Sequence, residues 1–198
     1  MKKVAICGGA NIDFTLDTSL SYIGVDCGIE TLIKQGIQPI IGIGDFDSLQ
    51  GKEVLQSLEI EVLPARKDVT DTHHALLYAI DKGYQEIEIY GVTGGRIDHF
   101  MAVISLLQQF PQRKITVLDK QNKIQILSPG NHQIENNGYT YFSIFAITDS
   151  YITISSCEYP LDSYYLTSKD PLCVSNQIQG EHANISTTKD IILMQTKD

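Results

Sequence analysis

A parallel α/β domain followed by a small antiparallel β-sandwich is the fold that this 198-residue chain predicts. Two textures carry the reading. Over the first 120 or so residues, short β-branched runs alternate with helical periods, and nearly every run ends in Gly or Asp. After Leu127-Ser128-Pro129-Gly130 the helical periods stop, and Thr, Ser, Ile and Tyr alternate in short runs broken by Gly, Asn and Asp. Alternating strands and helices require parallel strands with right-handed crossovers, whereas short strands separated only by turns pair antiparallel. The expected domains are therefore 1–127 and 128–198.

In the first domain the expected strands are Val4-Ala5-Ile6-Cys7, Ile23-Gly24-Val25, Ile40 to Ile43, Ile60 to Leu63, Ile87-Glu88-Ile89-Tyr90 and Ile115-Thr116-Val117-Leu118. The clearest helix is Asp98 to Gln109, where Phe100, Val103, Ile104 and Leu107 recur at i, i+3, i+4, i+7 and so share one buried face. A second spans about Asp71 to Lys82 and stops at Gly83, a residue suited to the turn that ends a helix. In the second domain Tyr141 to Ile147, Tyr151 to Ser155 and Ile191 to Gln195 read as antiparallel strands.

Composition narrows the function. A net charge of −9 with no cluster of Lys and Arg argues against a nucleic-acid partner. No apolar run approaches the roughly 20 residues a membrane helix needs, and Val4 to Cys7 is too short for a secretory leader, so the cytoplasm is the expected compartment. Cys7, Cys27, Cys157 and Cys173 show no CxxC or other metal-ligand spacing and read as reduced, structural thiols.

Ligands of parallel sheets collect where strands end, and three turns of that kind carry the chemistry. In Gly44-Asp45-Phe46-Asp47-Ser48 two aspartates lie two apart; on an extended backbone both carboxylates point one way and a divalent cation would relieve their repulsion. The bland account is a turn with Asp capping a helix. In Arg66-Lys67-Asp68-Val69-Thr70-Asp71-Thr72, Asp68 and Asp71 would share a face if Asp71 opens the helix, and Lys67 would offset phosphate charge. Here Thr70 or Asp71 as a simple cap is the alternative. In Gly91-Val92-Thr93-Gly94-Gly95-Arg96-Ile97-Asp98-His99, glycines lead into the amphipathic helix. Glycine lets backbone approach a ligand, helix-start amides favour anions, and Arg96 offers a planar fork to phosphate oxygens; Asp98 is open as N-cap, metal ligand or base. The spacing matches neither GxxxxGK[ST] nor GxGxxG. His73 and His74 follow the second motif on a helix and read as capping or packing residues, while His99 belongs to the third motif.

In this order and spacing, Gly44-Asp45-Phe46-Asp47-Ser48, Lys67-Asp68-x-Thr70-Asp71 and Gly94-Gly95-Arg96-x-Asp98-His99 resemble the thiamine pyrophosphokinase family. Asp26-x-Gly28 and Val174-Ser175-Asn176 also resemble family positions, so the likeness covers nearly the whole chain. The resemblance implies a Rossmann-like domain followed by a β-sandwich, in a homodimer with active sites between subunits. It implies an ATP and magnesium site built from Asp45, Asp47, Asp68 and Asp71, with Asp45, Asp68 and Asp71 on the metal and Asp47 or Asp98 orienting the hydroxyl that attacks the β-phosphorus of ATP. Asp26, Gly28, Lys67, Thr70, Gly94, Gly95, Arg96 and His99 would line the cleft, and Ser175 with Asn176 would lie near thiamine. The chain has no Trp, so any aromatic stacking on thiamine falls to one of its ten Tyr or six Phe residues. Three other readings share parts of the pattern: a diphosphokinase for a hydroxymethylpterin-type substrate, a thiamine or nucleotide sensor without turnover, and a haloacid-dehalogenase-like phosphatase built on Asp45-Phe46-Asp47-Ser48. The last leaves the Gly94-Gly95-Arg96 turn unexplained.

Overall fold

The computed structural model of the chain describes residues 2–47, 49, 52–64 and 69–198. Its elements in order are β1 (Lys3–Cys7), β2 (Tyr22–Val25), α1 (Gly28–Lys34), β3 (Ile41–Gly44), a 3-10 turn (Lys52–Ser57), β4 (Ile60–Val62), α2 (Asp71–Asp81), β5 (Glu86–Tyr90), α3 (Ile97–Gln109) and β6 (Lys114–Leu118). Then follow β7 (Asn122–Leu127), β8 (Gly130–Glu135), β9 (Tyr141–Ala146), β10 (Ser150–Ser155), β11 (Leu161–Leu166), β12 (His182–Thr187) and β13 (Ile191–Thr196). Two compact units emerge: residues 1–106 with 113–120, and 107–112 with 121–198. The strand β7, which a boundary at 127 leaves in the first domain, clusters with the second unit.

In the first unit six parallel strands run in the order β4-β3-β2-β1-β5-β6. Apart from the edge strand β4, their β-branched runs are buried on both faces, as parallel strands between helices must be: Val4, Ile6 and Ile23 are fully buried, and so are Ala5, Cys7 and Tyr22. α1 sits on glycines. Ile29 presses against Gly24 and Gly42, where a Cβ would approach its side chain to 2.5 and 2.7 Å. α2 buries Ala75, Leu76 and Ala79 completely and ends before Gly83 at φ +77. In α3, Val103, Ile104 and Leu107 are buried as the spacing predicts and Phe100 is half-buried, while Ile97 and Met101 on the other face are 76% and 53% exposed.

The second unit holds two antiparallel arrays, β7-β13-β9 and β11-β10-β12-β8. Inward residues of both meet in one core that includes Phe142, Ile144, Ile152, Ile154, Leu166, Ile185, Ile191 and Leu193. This is the expected β-sandwich. The four cysteines are free, and burial pushes the Cys7 thiol up to about 12 and Cys173 to about 11, which leaves both unreactive near neutrality. Among the described residues no helix is long and apolar enough to cross a membrane.

Candidate active site

The chain lays down β1, moves outward through β2, β3 and β4, then returns to put β5 on the other side of β1. At such a reversal the loops after the two central strands diverge and leave a crevice at their carboxyl ends. A cleft of about 410 Å³ lies there. Gly8, Gly9 and Ala10 after β1 and Gly91 and Val92 after β5 form part of its wall. These two turns are tied together, since the Gly8 N–H donates to the Tyr90 carbonyl and the Ala10 N–H to the Gly91 carbonyl, both at 2.8 Å. Gly91 stands at φ +66, and a Cβ there would lie 2.5 Å from the Gly8 carbonyl oxygen, so only glycine lets the strand ends come this close.

Carboxylates enter from three further strand ends. Asp26 follows β2, Asp47 follows β3, and Asp71 opens α2 beside Thr70 and Thr72; all five line the cleft. Asp26 is held in the left-handed region at φ +45, with Oδ1 1.9 Å from where a Cβ on Gly44 would be. The glycine of the Gly-Asp-Phe-Asp turn thus makes room for a carboxylate from the neighbouring strand. Phe46 also takes a positive φ, +55, and buries its ring with Ile29 and Leu49. That kink removes the extended backbone on which Asp45 and Asp47 would point the same way: Asp47 lines the cleft, whereas Asp45 is not on its wall and accepts the Asp47 N–H at 3.3 Å. Thr70 is the N-cap of α2 and accepts the His73 N–H at 3.2 Å. Asp68 and Lys67 lie outside the described residues.

The fourth contribution comes from the start of α3. Gly95, Arg96, Asp98 and His99 line the cleft, with Ala102 and Val103 behind them, and Arg96 is the one Lys or Arg among the described lining residues. Its guanidinium grips Asp98 twice, Nε to Oδ1 at 3.1 Å and Nη2 to Oδ2 at 2.5 Å, while the His99 N–H donates to Asp98 Oδ1 at 3.0 Å. The Arg96 hydrogen bonds hold the Asp98 carboxyl down at about 2. A carboxylate of that strength is a poor proton acceptor, so of the openings left by the sequence the geometry favours alignment over base. Arg96→Ala should let the Asp98 midpoint climb back towards about 4, the ordinary carboxylate value, measured by carboxyl NMR titration. The sign of the linkage follows: a lowered value lends stability above the ordinary range that fades as pH falls towards 2. Both side chains are well exposed, so that contribution is small.

Of the remaining expected site residues, Gly94 is an exposed turn glycine at φ +76. Gly28 is buried at the start of α1 and does not line the cleft; a Cβ on it would lie 2.0 Å from the Cys7 carbonyl oxygen, which is a packing reason for glycine. In the second unit Ser175 is exposed in the left-handed region at φ +59, and its N–H donates to Ser143 Oγ at 3.0 Å. Asn176 is 5% exposed and its carboxamide is fully used: it donates to the Tyr159 carbonyl and Cys157 Sγ and accepts the Tyr159 and Gln177 N–H groups. It therefore fixes the backbone of Tyr159, whose side chain is among the most exposed large ones at 65%. The Gly8-Gly9-Ala10 turn is the part of the wall that the three sequence motifs do not include; its signal is a glycine pair directly after the strand at which the order reverses.

Among the described residues no group of three or more His, Cys, Asp or Glu is gathered closely enough to hold a metal ion by protein ligands alone. Asp26, Asp47 and Asp71 still present hard oxygen donors to one cleft, which suits a magnesium ion that takes one or two carboxylates and completes its shell with water and phosphate oxygens.

Comparison with known proteins shows the family. Residues 14–118 match the family described as thiamin pyrophosphokinase, catalytic domain, and residues 131–192 match thiamin pyrophosphokinase, vitamin B1 binding domain. A thiamine pyrophosphokinase of Bacillus subtilis (strain 168) is 37% identical over 187 residues, covering 90% of this chain and 87% of that protein. The crystal structure of thiamine pyrophosphokinase from Bacillus subtilis superposes with a TM-score of 0.90 at 32% identity, over the whole of both chains. That of a thiamin pyrophosphokinase family protein from Enterococcus faecalis gives 0.91 at 30%, again over both whole chains.

Proposed function

Because this chain belongs to the thiamin pyrophosphokinase family, we propose that it transfers the diphosphoryl group of ATP to the hydroxyl of thiamine, forming thiamine diphosphate and AMP, with the phosphates in the switch-point cleft. The observation that carries the proposal is the convergence of Asp26, Asp47, Asp71 and Arg96 on one glycine-walled cleft. Carboxylates repel a triphosphate unless a cation intervenes, and Arg96, the one Lys or Arg among the described lining residues, cannot neutralise it by itself, so the arrangement calls for a metal. Asp47 and Asp71 would hold magnesium, which, when bound, offsets phosphate charge as the bond to the leaving AMP breaks. The chain's own part is positioning. Arg96, kept in place by Asp98, offers its fork to a phosphate oxygen. The glycine turns after β1 and β5 give backbone close access to the phosphates, and Asp26, seated on Gly44, bounds the cleft.

Thiamine is assigned to the second unit, through Ser175 and the exposed face of Tyr159, which Asn176 pins beside it; in a chain without Trp this ring supports the stacking role. We place the protein in a homodimer with active sites between subunits. Ile97 and Met101, exposed beside Arg96 on α3, form an apolar patch that a second subunit would cover. The cytoplasm, where ATP and magnesium are at hand, is the compartment the reading requires.

Gly95 offers a test of phosphate passage. It needs no positive φ, and a Cβ on it would meet no heavy atom within 4 Å. Gly95→Ala should leave the melting temperature unchanged yet cut turnover about tenfold, or about 1.4 kcal/mol of transition-state binding. Unchanged turnover would remove Gly95 from the phosphate path. The substrate itself is tested by initial rates of AMP release with thiamine against a hydroxymethylpterin: thiamine alone should support release, and preference for the pterin would replace the proposal.

A further inference from the structure

β4 is the shortest strand of the first unit, lies at the sheet edge and, among the described residues, pairs with β3 alone. Its apolar side chains are poorly covered, Ile60 at 38% exposure and Val62 at 64%. After β4 the chain crosses to α2, whose first residue is Asp71, and α2 rests on the sheet through Ala75, Leu76 and Ala79. One polar link joins the start of that helix to the edge strand: His74 Nε2 lies 2.8 Å from Glu61 Oε1, across thirteen positions of chain. Both a neutral ring with its proton on Nε2 and an imidazolium can donate in this contact.

Asp71 and His74 are three apart on the helix, and neighbours at that spacing lie on adjoining parts of one face. Movement of the first turn away from β4 would carry Asp71 with it. The helix is anchored well at Ala75 and beyond; before that point Thr70 caps it and the His74–Glu61 pair ties it to β4. We infer that His74 is a positioning residue: its pairing with Glu61 clasps the first turn of α2 to the sheet edge and sets where Asp71 stands in the cleft. The inference rests on the proposed part of Asp71 in binding the metal-bound phosphates. It gives work to a side chain whose sequence context suggested capping or packing only.

Both partners are about one-third exposed, at 31% and 40%, so the pair is a modest interaction and its effect should be local. Four proteins test it: wild type, His74→Ala, His74→Glu, and His74→Glu combined with Glu61→Lys. We expect His74→Ala to raise the KM for magnesium-ATP about two- to fivefold while the KM for thiamine stays the same. His74→Glu, which places like charges together, should raise it further, and adding Glu61→Lys should bring it back to within about twofold of wild type. Amide exchange at His73, His74 and Ala75 should quicken in His74→Ala, with Ile89 unchanged. Equal shifts in both KM values, failure of the exchanged pair to restore affinity, or unaltered exchange in the first turn would each overturn the clasp. If wild type releases no AMP from thiamine and ATP, the proposed activity fails, and amide exchange still decides the clasp by itself.

Discussion

Gly28→Ala is expected to remove about 3 kcal/mol of folding stability, the upper end of what forcing extra volume into a packed interior costs. The new Cβ would stand 2.0 Å from the Cys7 carbonyl oxygen and 2.8 Å from that of Gly8, and these are backbone atoms at the end of the central strand that cannot swing aside as a side chain can. Relief requires α1 to move off β1, and with it Ile29, whose contacts with Gly24 and Gly42 set the helix on the sheet. Urea denaturation should show a lower midpoint with an unchanged slope, since the same surface is exposed on unfolding. A midpoint within a few tenths of a kcal/mol of wild type would mean that the helix has room to move, and the packing account of Gly28 would fail.

Asp71→Asn should do the reverse, leaving the fold almost intact and lowering the rate of transfer about a hundredfold, or about 2.7 kcal/mol of transition-state stabilisation. The stability change is small because Asn keeps the shape and Thr70 still caps the helix; what is lost is one negative charge in the first turn of α2, worth about 0.5 kcal/mol against the helix dipole. The loss of rate should not be recovered by higher thiamine, because the carboxylate is assigned to the phosphate end. Near-normal turnover would take Asp71 out of the metal site.

Much of this architecture was legible in the sequence, for physical reasons. Buried parallel strands must be continuous β-branched runs, so the strands of the first unit other than the exposed edge strand β4 stood out for that reason, and the i, i+3, i+4, i+7 stripe of Phe100, Val103, Ile104 and Leu107 placed α3 to within one residue at its start. α1 was missed because seven residues, Gly28–Lys34, are too few for a helical period to declare itself. In the second unit β8 and β12 expose Asn131, Gln133 and Asn184 and bury Ile134, Ala183 and Ile185; strands so rich in Asn, Gln and His read as turns until pairing is known. Which carboxylates share a cleft depended on backbone signs invisible to spacing. The positive φ of Phe46 sends Asp45 and Asp47 to different surroundings, and that of Asp26 brings a carboxylate from another strand onto Gly44. Likewise nothing in the sequence pairs His74 with Glu61, because their meeting depends on where the edge strand lies.

The most direct test of the central claim follows the phosphorus itself. ATP labelled at the β-phosphorus, mixed with thiamine, magnesium and the protein, should yield labelled thiamine diphosphate and an equal amount of unlabelled AMP, with both lost on adding a chelator. Labelled ADP accompanied by thiamine monophosphate, or no transfer with an intact and folded protein, would contradict diphosphoryl transfer at this cleft.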